Sequence, residues 1–554
     1  METVSAAEPE APRSAWAVFE SAPYRRVLGS AMLGLTGIAM SDAASAWLMT
    51  SLNADPRAVS LVQVAVFLPM FMFTLPAGAL IDIVEPRRFL VALETFITAM
   101  VIVFAAVVSF DLVTPAALLV LTFALSTAWS VAAPAWASLT PGLVPREDLE
   151  AALAANSIGY NLSRAVGPAL AGRMILLLGV AAPFWGFALA NAASVAGLMG
   201  CNASGRRTRD LPAERLLSAM RAGLRHAAFN PHLRATLART VAVFPSGAAF
   251  VALLPLVARS QMIAGPQIYG FMIASVSVGA TLGSLARPYV KQRLGPDRFV
   301  AAGTLAIALG MVMFAFCHAL PLALAAGLIA GAGWTTVLAS LSVSAQVALP
   351  DWVRGRGLAI FLTVVFGSMA LGSLAWGYVA AHVGLAATFL FAAAGLVAGV
   401  PLSWRWRLQT GDGMDLTPAL HWHAPRLSRA VEDDSGPILV TLRYVLAGDD
   451  PEPFLDFIEE IGQQRRRDGA YAWGVFADVA QKGLYLETFL VGSWLEARHL
   501  RARITNADRA REDAMSGLLA APPTVTLLLS SDAPRDNLGP PTDLNFFAPL
   551  ETPA

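Results

Sequence analysis

Long apolar stretches, separated by short polar turns, fill the chain between about residues 27 and 404. Each stretch has at least the roughly 20 apolar residues that a helix needs to cross a bilayer. Overall, 56% of the residues are hydrophobic, only 14% are charged, and the mean hydropathy is +0.58. The pattern predicts an all-α polytopic membrane protein with twelve spans, at about 27–51, 58–83, 89–110, 113–139, 153–179, 181–202, 237–258, 267–289, 299–318, 320–348, 357–381 and 384–404.

Basic residues are distributed very unequally between the two sides of these spans. The turns on one side carry only Arg57 and Arg259. Because arginine and lysine collect in cytoplasmic loops, we expect both termini to be cytoplasmic and the protein to lie in the cytoplasmic (inner) membrane. The basic residues of the other side are Arg13, Arg25, Arg26, Arg87, Arg88, Arg146, the run from Arg206 to Arg239, Arg287, Lys291, Arg293, Arg298, Arg354, Arg356, Arg405 and Arg407.

The first six spans and the second six repeat one another when the sequence is shifted by 205 residues. Four small or helix-breaking residues then coincide, as the pairs Gly78 and Gly283, Pro145 and Pro350, Gly167 and Gly372, and Gly172 and Gly377. Such a parallel repeat predicts two six-helix halves of the same fold.

The composition changes after the last span, and the chain there becomes polar. Residues 437–532 alternate strand and helix patterns in the order βαββαβ, which predicts a small ferredoxin-like α+β domain. Apolar residues at helical spacing between the halves predict an amphipathic helix on the membrane surface. The predicted domains are an N-terminal six-helix bundle (1–203), a cytoplasmic amphipathic connector (204–239), a C-terminal six-helix bundle (240–407), a linker (408–436), the soluble α+β domain (437–532) and a tail (533–554).

Ionisable residues inside the spans are candidates for transport and ion coupling, since charge is costly there and usually faces the bundle interior. Asp42 lies in the first span, Glu94 in the third, and Arg164 in the fifth, near the membrane midplane. Arg173 and Glu94 are nearer opposite interfaces, where we expect them to reach towards the headgroups. Asp42 and Arg164 can alternatively be buried polar groups that pin helix packing.

The turn from Pro76 to Arg88 reads Gly78-x-x-x-Asp82 and ends in Arg87-Arg88. It resembles the signature loop of the major facilitator superfamily, whose fold has twelve spans in two halves. In that reading Asp82 is a conformational latch that meets the start of the eleventh span, at Asp351 to Arg356, across the pseudo-symmetry axis.

The fuller resemblance is to the enterobactin-exporter and macrolide-efflux branch, the transmembrane secretion effectors. It rests on the signature loop, on Gly167-Pro168, and on the stretch from Pro350 through Arg354 to Arg356. The resemblance implies a secondary active transporter that exports an amphipathic small molecule, such as a siderophore or drug, in exchange for protons. Its expected partners are that substrate, protons and the lipid bilayer.

The C-terminal domain resembles the dimeric α+β barrel domains related to antibiotic-biosynthesis monooxygenases, which implies possible self-association. Tyr471, Trp473 and His499 are predicted to be core and surface residues, although they could alternatively line a cavity there. Two other functions remain open: a transporter-fold sensor or scaffold that acts through this domain, and a membrane-tethered oxygenase-like enzyme. An exporter should retain efflux when residues 408–554 are deleted.

Several classes of site are not expected. There is no Gly-x-x-x-x-Gly-Lys-Ser/Thr stretch, so ATP hydrolysis is not expected to supply the energy. The two cysteines, Cys201 and Cys317, form neither a disulfide framework nor a metal-ligand pattern, and His421 and His423 are read as linker residues. We predict no cofactor, no metal, no catalytic residues and no nucleic-acid partner, the net charge being zero.

Overall fold

The structure is a computed structural model of the full chain. It describes residues 17–80, 84–200, 216–401, 405–408, 415–419 and 431–530. Asp82, His421 and His423 lie outside these ranges.

Long helices account for most of the described chain. They are α1 (Ala22–Leu52), α2 (Pro56–Leu80), α3 (Pro86–Ser109), α4 (Pro115–Leu139), α5 (Leu149–Leu178), α6 (Ala182–Met199), α7 (Leu216–Phe229), α8 (Pro231–Leu256), α9 (Pro266–Ala315), α10 (Leu320–Val347), α11 (Asp351–Val383) and α12 (Leu385–Gly399). Proline opens many of them, at the position where its missing N–H is not needed.

Nine helices of the described chain are long and apolar enough to cross a membrane. One of them, α9, contains two segments, because Gly295 breaks it with a φ of 72°. With α5 and the shorter α12, the helical segments correspond to the twelve predicted spans. The fold class predicted from the sequence, a twelve-span bundle with a small α+β domain, is confirmed.

The two halves make equivalent contacts at equivalent glycines. A side chain at Gly167 of α5 would collide with Ala39 of α1, and one at Gly372 of α11 would collide with Pro245 of α8. The helices α1 and α8 occupy corresponding places in the repeat. Close approach at a glycine is how packed membrane helices gain van der Waals contact, so the 205-residue repeat extends to tertiary packing.

The predicted connector, residues 204–239, overlaps the first turns of α8. Asn230 caps α8, since its Oδ1 accepts the N–H groups of His232 and Leu233 at 3.0 and 3.1 Å. Arg239 consequently lies inside α8, where it is buried and paired with Asp297 at 2.7 Å. The basic run therefore divides between α7 and the start of α8.

The C-terminal region contains the strands β1 (Ile438–Val445), β2 (Tyr471–Ala477), β3 (Leu484–Val491) and β4 (Thr524–Leu529), and the helices α13 (Glu452–Asp468), α14 (Trp494–Arg503) and α15 (Asn506–Ser516). The strands form an antiparallel sheet in the order β2-β3-β1-β4. Alternate residues of β1, beginning at Ile438, are buried against α13. Helices and strands follow one another as βαββααβ, so two helices occupy the last helical position of the predicted βαββαβ order.

The chain divides into two compact units. The first contains the transmembrane helices, as residues 1–216, 235–345 and 358–410. The second combines the C-terminal region (411–554) with two segments of the membrane part, residues 217–234 and 346–357. The second unit thus includes α7, the start of α8 and the turn from α10 into α11.

Candidate functional site

Asp42 and Arg164 come together in the interior of the helix bundle. Asp42 projects from α1 and Arg164 from α5, and the two side chains interact electrostatically. By accessible surface, Arg164 is exposed and Asp42 is partly buried. Accessible charges at the centre of a protein line an interior cavity, which is where transporters bind substrate.

Two tyrosines complete this central cluster. The Arg164 guanidinium donates a long hydrogen bond, 3.4 Å, from Nη1 to the Tyr160 hydroxyl and lies 5.7 Å from that ring's centroid. Tyr269 of α9 is 4% exposed and lies within electrostatic range of Asp42. Because α1 and α5 belong to the first half and α9 to the second, the cluster joins both halves.

The Gly167-Pro168 motif explains why these helices meet. Gly167 admits the backbone of α1, and a Cβ at Gly270 of α9 would lie 2.5 Å from the Pro168 carbonyl oxygen. The Ser277 hydroxyl of α9 donates to the Arg164 carbonyl at 3.0 Å. The motif therefore acts in packing: it brings α1, α5 and α9 close enough to hold the charged residues together.

Arg259 closes the end of the bundle that carries the α1–α2 turn. Its Nη1 donates to Ser51 at 2.6 Å and to Thr50 at 3.1 Å, and the guanidinium lies 5.6 Å from the Trp47 ring. Trp47 in turn stacks on Tyr269 at 5.9 Å. Arg259 follows α8, so these contacts tie the second half to α1. Sequence reasoning used Arg259 only for topology, although an isolated arginine in an otherwise uncharged turn was a usable signal.

Glycines allow close contact between helices at two further places at the α1–α2 end. A Cβ on Gly172 of α5 would lie 2.5 Å from the Pro266 carbonyl at the start of α9. Its repeat partner Gly377 of α11 meets Ser60 near the start of α2. Nearer the middle of the bundle, Phe67 stacks on Phe366 with ring centroids 6.3 Å apart. The two halves are therefore in close contact at the α1–α2 end.

Glu94 occupies a separate site inside the first half. It is 1% exposed, so the expectation that its side chain reaches the membrane interface is wrong. The Trp136 indole N–H donates to Oε1 at 2.7 Å, and Asn191 donates to the Glu94 carbonyl at 3.0 Å. Within the described part of the chain, no arginine or lysine pairs with Glu94. The helix faces of α3, α4 and α6 enclose it, whereas Arg173 is exposed as expected.

The residues of the signature loop have local partners. The Arg87 side chain donates to the carbonyls of Leu198 and Met199 at 3.4 and 2.9 Å and so caps the end of α6, where a positive charge is favoured. Arg88 forms an exposed ion pair with Glu85 at 2.8 Å. Gly78 lies in the last turn of α2. The latch role of Asp82 stays a prediction.

The stretch that repeats the turn at Pro145 opens α11. Arg354 pairs with Asp351, one turn away, at 2.6 Å, and both are solvent-exposed. Arg356 lies in the same turn and is partly buried. The neighbouring residue Trp352 contacts His226 and Arg503.

A network of buried charges occupies the core of the C-terminal domain. Glu487 of β3 is fully buried and accepts hydrogen bonds from Tyr444 and Trp473 at 2.7 and 2.8 Å. Arg465 lies 3.5 Å from Glu487 and pairs with Glu512 at 2.8 Å. Burial, followed by the Glu487 charge, raises the pKa of Tyr444 well above its usual value.

The three residues proposed to line a cavity in this domain do not do so together. Trp473 packs into the core, with Arg466 stacked 4.7 Å from its ring. A cavity of about 340 Å³ lies elsewhere and is lined by Leu446, Ala447, Gly448, Asp450, Phe454, Gly517 and Leu518. Neither Tyr471 nor His499 contributes to that lining.

Comparisons with known proteins place this arrangement in one family. Residues 13–535 match the sequence profile of the family described as transmembrane secretion effector. The multidrug efflux pump Tap of Mycolicibacterium fortuitum is 26% identical over 384 residues, which cover 66% of this chain and 91% of Tap. Tap of Mycobacterium tuberculosis strain H37Rv is 23% identical over 388 residues, covering 66% of this chain and 89% of that protein.

Solved structures show the same fold at low sequence identity. An auto-inhibited peptide transporter of the POT family superposes with a TM-score of 0.57 at 12% identity, over 71% of this chain and 98% of the transporter. The nucleoside transporter NupG, as its D323A mutant, superposes with a TM-score of 0.54 at 15% identity, over 69% of this chain and 98% of NupG. These likenesses concern the fold alone.

Proposed function

The chain belongs to the transmembrane secretion effector family of major facilitator transporters, and from that membership we propose that it exports an amphipathic small molecule in exchange for protons. The observation that carries the proposal is the accessible pair Asp42 and Arg164 at the centre of the bundle. The relatives named multidrug efflux pumps support export of drug-like molecules. Family and relatives are transporters, which points away from an enzyme.

The aromatic and charged composition of the cluster suits an amphipathic substrate. The exposed Tyr160 offers a ring face, while Arg164 and Asp42 offer one charge of each sign. A cavity that combines ring faces with a few polar groups holds apolar ligands in a defined orientation. A siderophore and a drug both fit this description.

Asp42 and Glu94 are the proposed proton carriers. Each is a carboxyl group inside the membrane part, where the charged form is costly unless it is paired. Asp42 faces the cavity and therefore can exchange protons and sense substrate directly. Glu94 is enclosed in the first half and would act through helix packing. Arg164 would stabilise Asp42 when it is deprotonated.

The closed α1–α2 end corresponds, in this proposal, to the outer face of the membrane. Both termini are then cytoplasmic, and the described contacts around Arg259 keep the central cavity shut towards the outside. Export requires that these contacts break while the opposite end closes, as in rigid-body alternating access. The proposed latch at Asp82 would stabilise that second state.

The test uses Asp42→Asn in inverted membrane vesicles with an imposed pH gradient. We expect the variant to insert and to bind substrate, but to lose pH-driven uptake by at least about tenfold, because asparagine cannot carry a proton. The matched control is Asp55→Asn, which removes an exposed acid that pairs with Arg57 in the α1–α2 turn. Normal gradient-driven uptake by Asp42→Asn would exclude Asp42 as a coupling group.

The C-terminal domain has no assigned role in this proposal. We propose a ferredoxin-like domain, and the sheet order β2-β3-β1-β4 supports that proposal. Its relation to monooxygenase-like domains and its possible self-association remain proposals, as do the domain limits expected from the sequence. Deletion of residues 408–554 tests whether efflux needs it.

A further inference from the structure

Trp352, in the first turn of α11, lies between two groups of the second unit. The Arg503 guanidinium of α14 lies 4.3 Å from its ring centroid, and the His226 ring of α7 meets it edge-on at 5.5 Å. Trp352 is partly buried, and its indole N–H has no hydrogen-bond partner in the described chain. Its position therefore depends on ring contacts with a neighbouring arginine and histidine.

The residues around Trp352 form one buried network. Arg503 donates to the Asp468 carbonyl at 2.6 Å, and Asp468 forms paired hydrogen bonds with Arg467 at 2.8 and 2.7 Å. The Asp468 carboxylate also lies 3.8 Å from Nδ1 of His226. Asp468 ends α13 and His226 lies on α7, so the network connects the C-terminal domain to the connector helix.

Asn230 extends this network to the turn between α10 and α11. Its amide nitrogen donates to the Ala348 carbonyl at 2.8 Å and lies 3.2 Å from Nε2 of His226. The same residue caps α8. The starts of α8 and α11 are thus held together by contacts that also hold the C-terminal domain.

These two helices pack closely further along. The Trp376 indole of α11 donates to the Pro245 carbonyl of α8 at 2.8 Å, and Gly372 lies against the same proline. If the second half moves as a rigid body, α8 and α11 must keep the same relative position at both of their ends.

We propose that Trp352 is the docking residue for the C-terminal domain, and that the docked domain positions the first turn of α11 against the start of α8 during transport. The domain is then held against α7 and the first turn of α11 through Arg503 and His226. Trp352 acts as a positioning residue because it lies outside the central cavity cluster.

The test uses the full chain in lipid nanodiscs and compares Trp352→Ala and Arg503→Lys with Arg498→Lys. Arg498 is the matched control, since it lies on the same helix and forms an exposed pair with Asp433 at 2.9 Å. Loss of a desolvated cation–π contact should lower the docking equilibrium constant about thirtyfold, the equivalent of about 2 kcal/mol. The readout is hydrogen exchange of residues 226–234 and 348–357.

We expect faster exchange in both segments for Trp352→Ala and Arg503→Lys, unchanged protection of the β1–β3 pairing, and no change for Arg498→Lys. Trp352→Phe, which keeps an aromatic face, should restore much of the protection. In proteoliposomes the docking variants should lower the maximal transport rate severalfold while substrate affinity stays within about twofold.

Unchanged exchange in Trp352→Ala would overturn the docking assignment. Faster exchange with a normal transport rate would overturn the positioning role. The exchange measurement involves neither substrate nor proton gradient, so its result is independent of whether export is proton-coupled.

Discussion

Among the residues that the structure describes, two glutamates are almost fully buried, and they differ in the side chains that surround them. Glu94, between the membrane helices, and Glu487, in the C-terminal domain, each accept a tryptophan N–H, at 2.7 and 2.8 Å. Glu487 also has Arg465 beside it at 3.5 Å and a tyrosine hydroxyl at 2.7 Å. The described neighbours of Glu94 are neutral.

This difference separates a structural buried acid from one suited to carry a proton. A buried carboxylate that has a cation and several donors can remain charged, and its loss leaves the cation uncompensated. For a buried carboxyl group without a neighbouring cation, the neutral form has the lower free energy. Such a group can gain and lose a proton as its surroundings change. Glu487 therefore belongs to the framework, whereas the surroundings of Glu94 agree with the coupling role proposed for it.

The largest expected effect is that of Glu487→Gln on the folding of the C-terminal domain. The variant removes one of the two acids beside Arg465 and one acceptor oxygen for Tyr444 and Trp473, and a buried donor left unsatisfied costs about 1–3 kcal/mol. Hydrogen exchange of β1 and β3 in the full chain should report that loss. The control is Lys482→Gln, whose exposed pair with Asp449 should contribute about 0–1 kcal/mol. Equal protection of β1 and β3 from hydrogen exchange in the two variants would contradict a structural role for Glu487.

Glu94→Gln should leave folding almost unchanged and still impair transport. The glutamine carbonyl can accept the Trp136 N–H, so the free energy of unfolding should shift by no more than about 1 kcal/mol. Proton-driven uptake should fall at least about tenfold, since the amide cannot titrate. The measurement is uptake at several pH values, with Glu85→Gln as the control for an exposed acid paired with Arg88. Full uptake with an unaltered pH profile would show that Glu94 is purely structural.

His226 extends the comparison to a buried base. Burial, and then the neighbouring Arg467, lower the pKa of His226 to about 3, so the docked histidine is neutral near pH 7. An undocked histidine has a pKa of about 6.5. The docked state therefore has its full stability above about pH 6.5 and loses it as the pH falls towards 3. The charged groups facing His226 are Asp468, Arg467, Arg503, Asp508 and Arg225.

Acidification from pH 7.5 to 5.5 should consequently weaken docking by about tenfold. Exchange of residues 348–357 measures this change, and His226→Gln should abolish the histidine contribution. Burial raises the pKa of Asp468, which acts in the opposite direction. For that reason the wild type must be compared with His226→Gln at each pH. If the exchange of residues 348–357 depends on pH equally in both proteins, the assignment to His226 is contradicted.

Local patterns determined the outline of this protein. The length and apolarity of the stretches predicted the transmembrane helices, and the 205-residue offset predicted the equivalent packing of Gly167 and Gly372. Alternating apolar residues predicted the strands of the C-terminal domain. Charge inside apolar stretches selected Asp42 and Arg164 as candidates. A charged side chain in a membrane helix is costly in free energy unless it faces the bundle interior or a water-filled cavity.

Partners distant in sequence were decided only by the tertiary structure. The burial of Glu94 depends on Trp136 and Asn191, which lie 42 and 97 residues away. Arg259 meets Ser51 across 208 residues, and Trp352 meets both His226 and Arg503. Helical periodicity assigns a residue to a face of its own helix, but the helix that covers that face is selected by the packing of the whole chain.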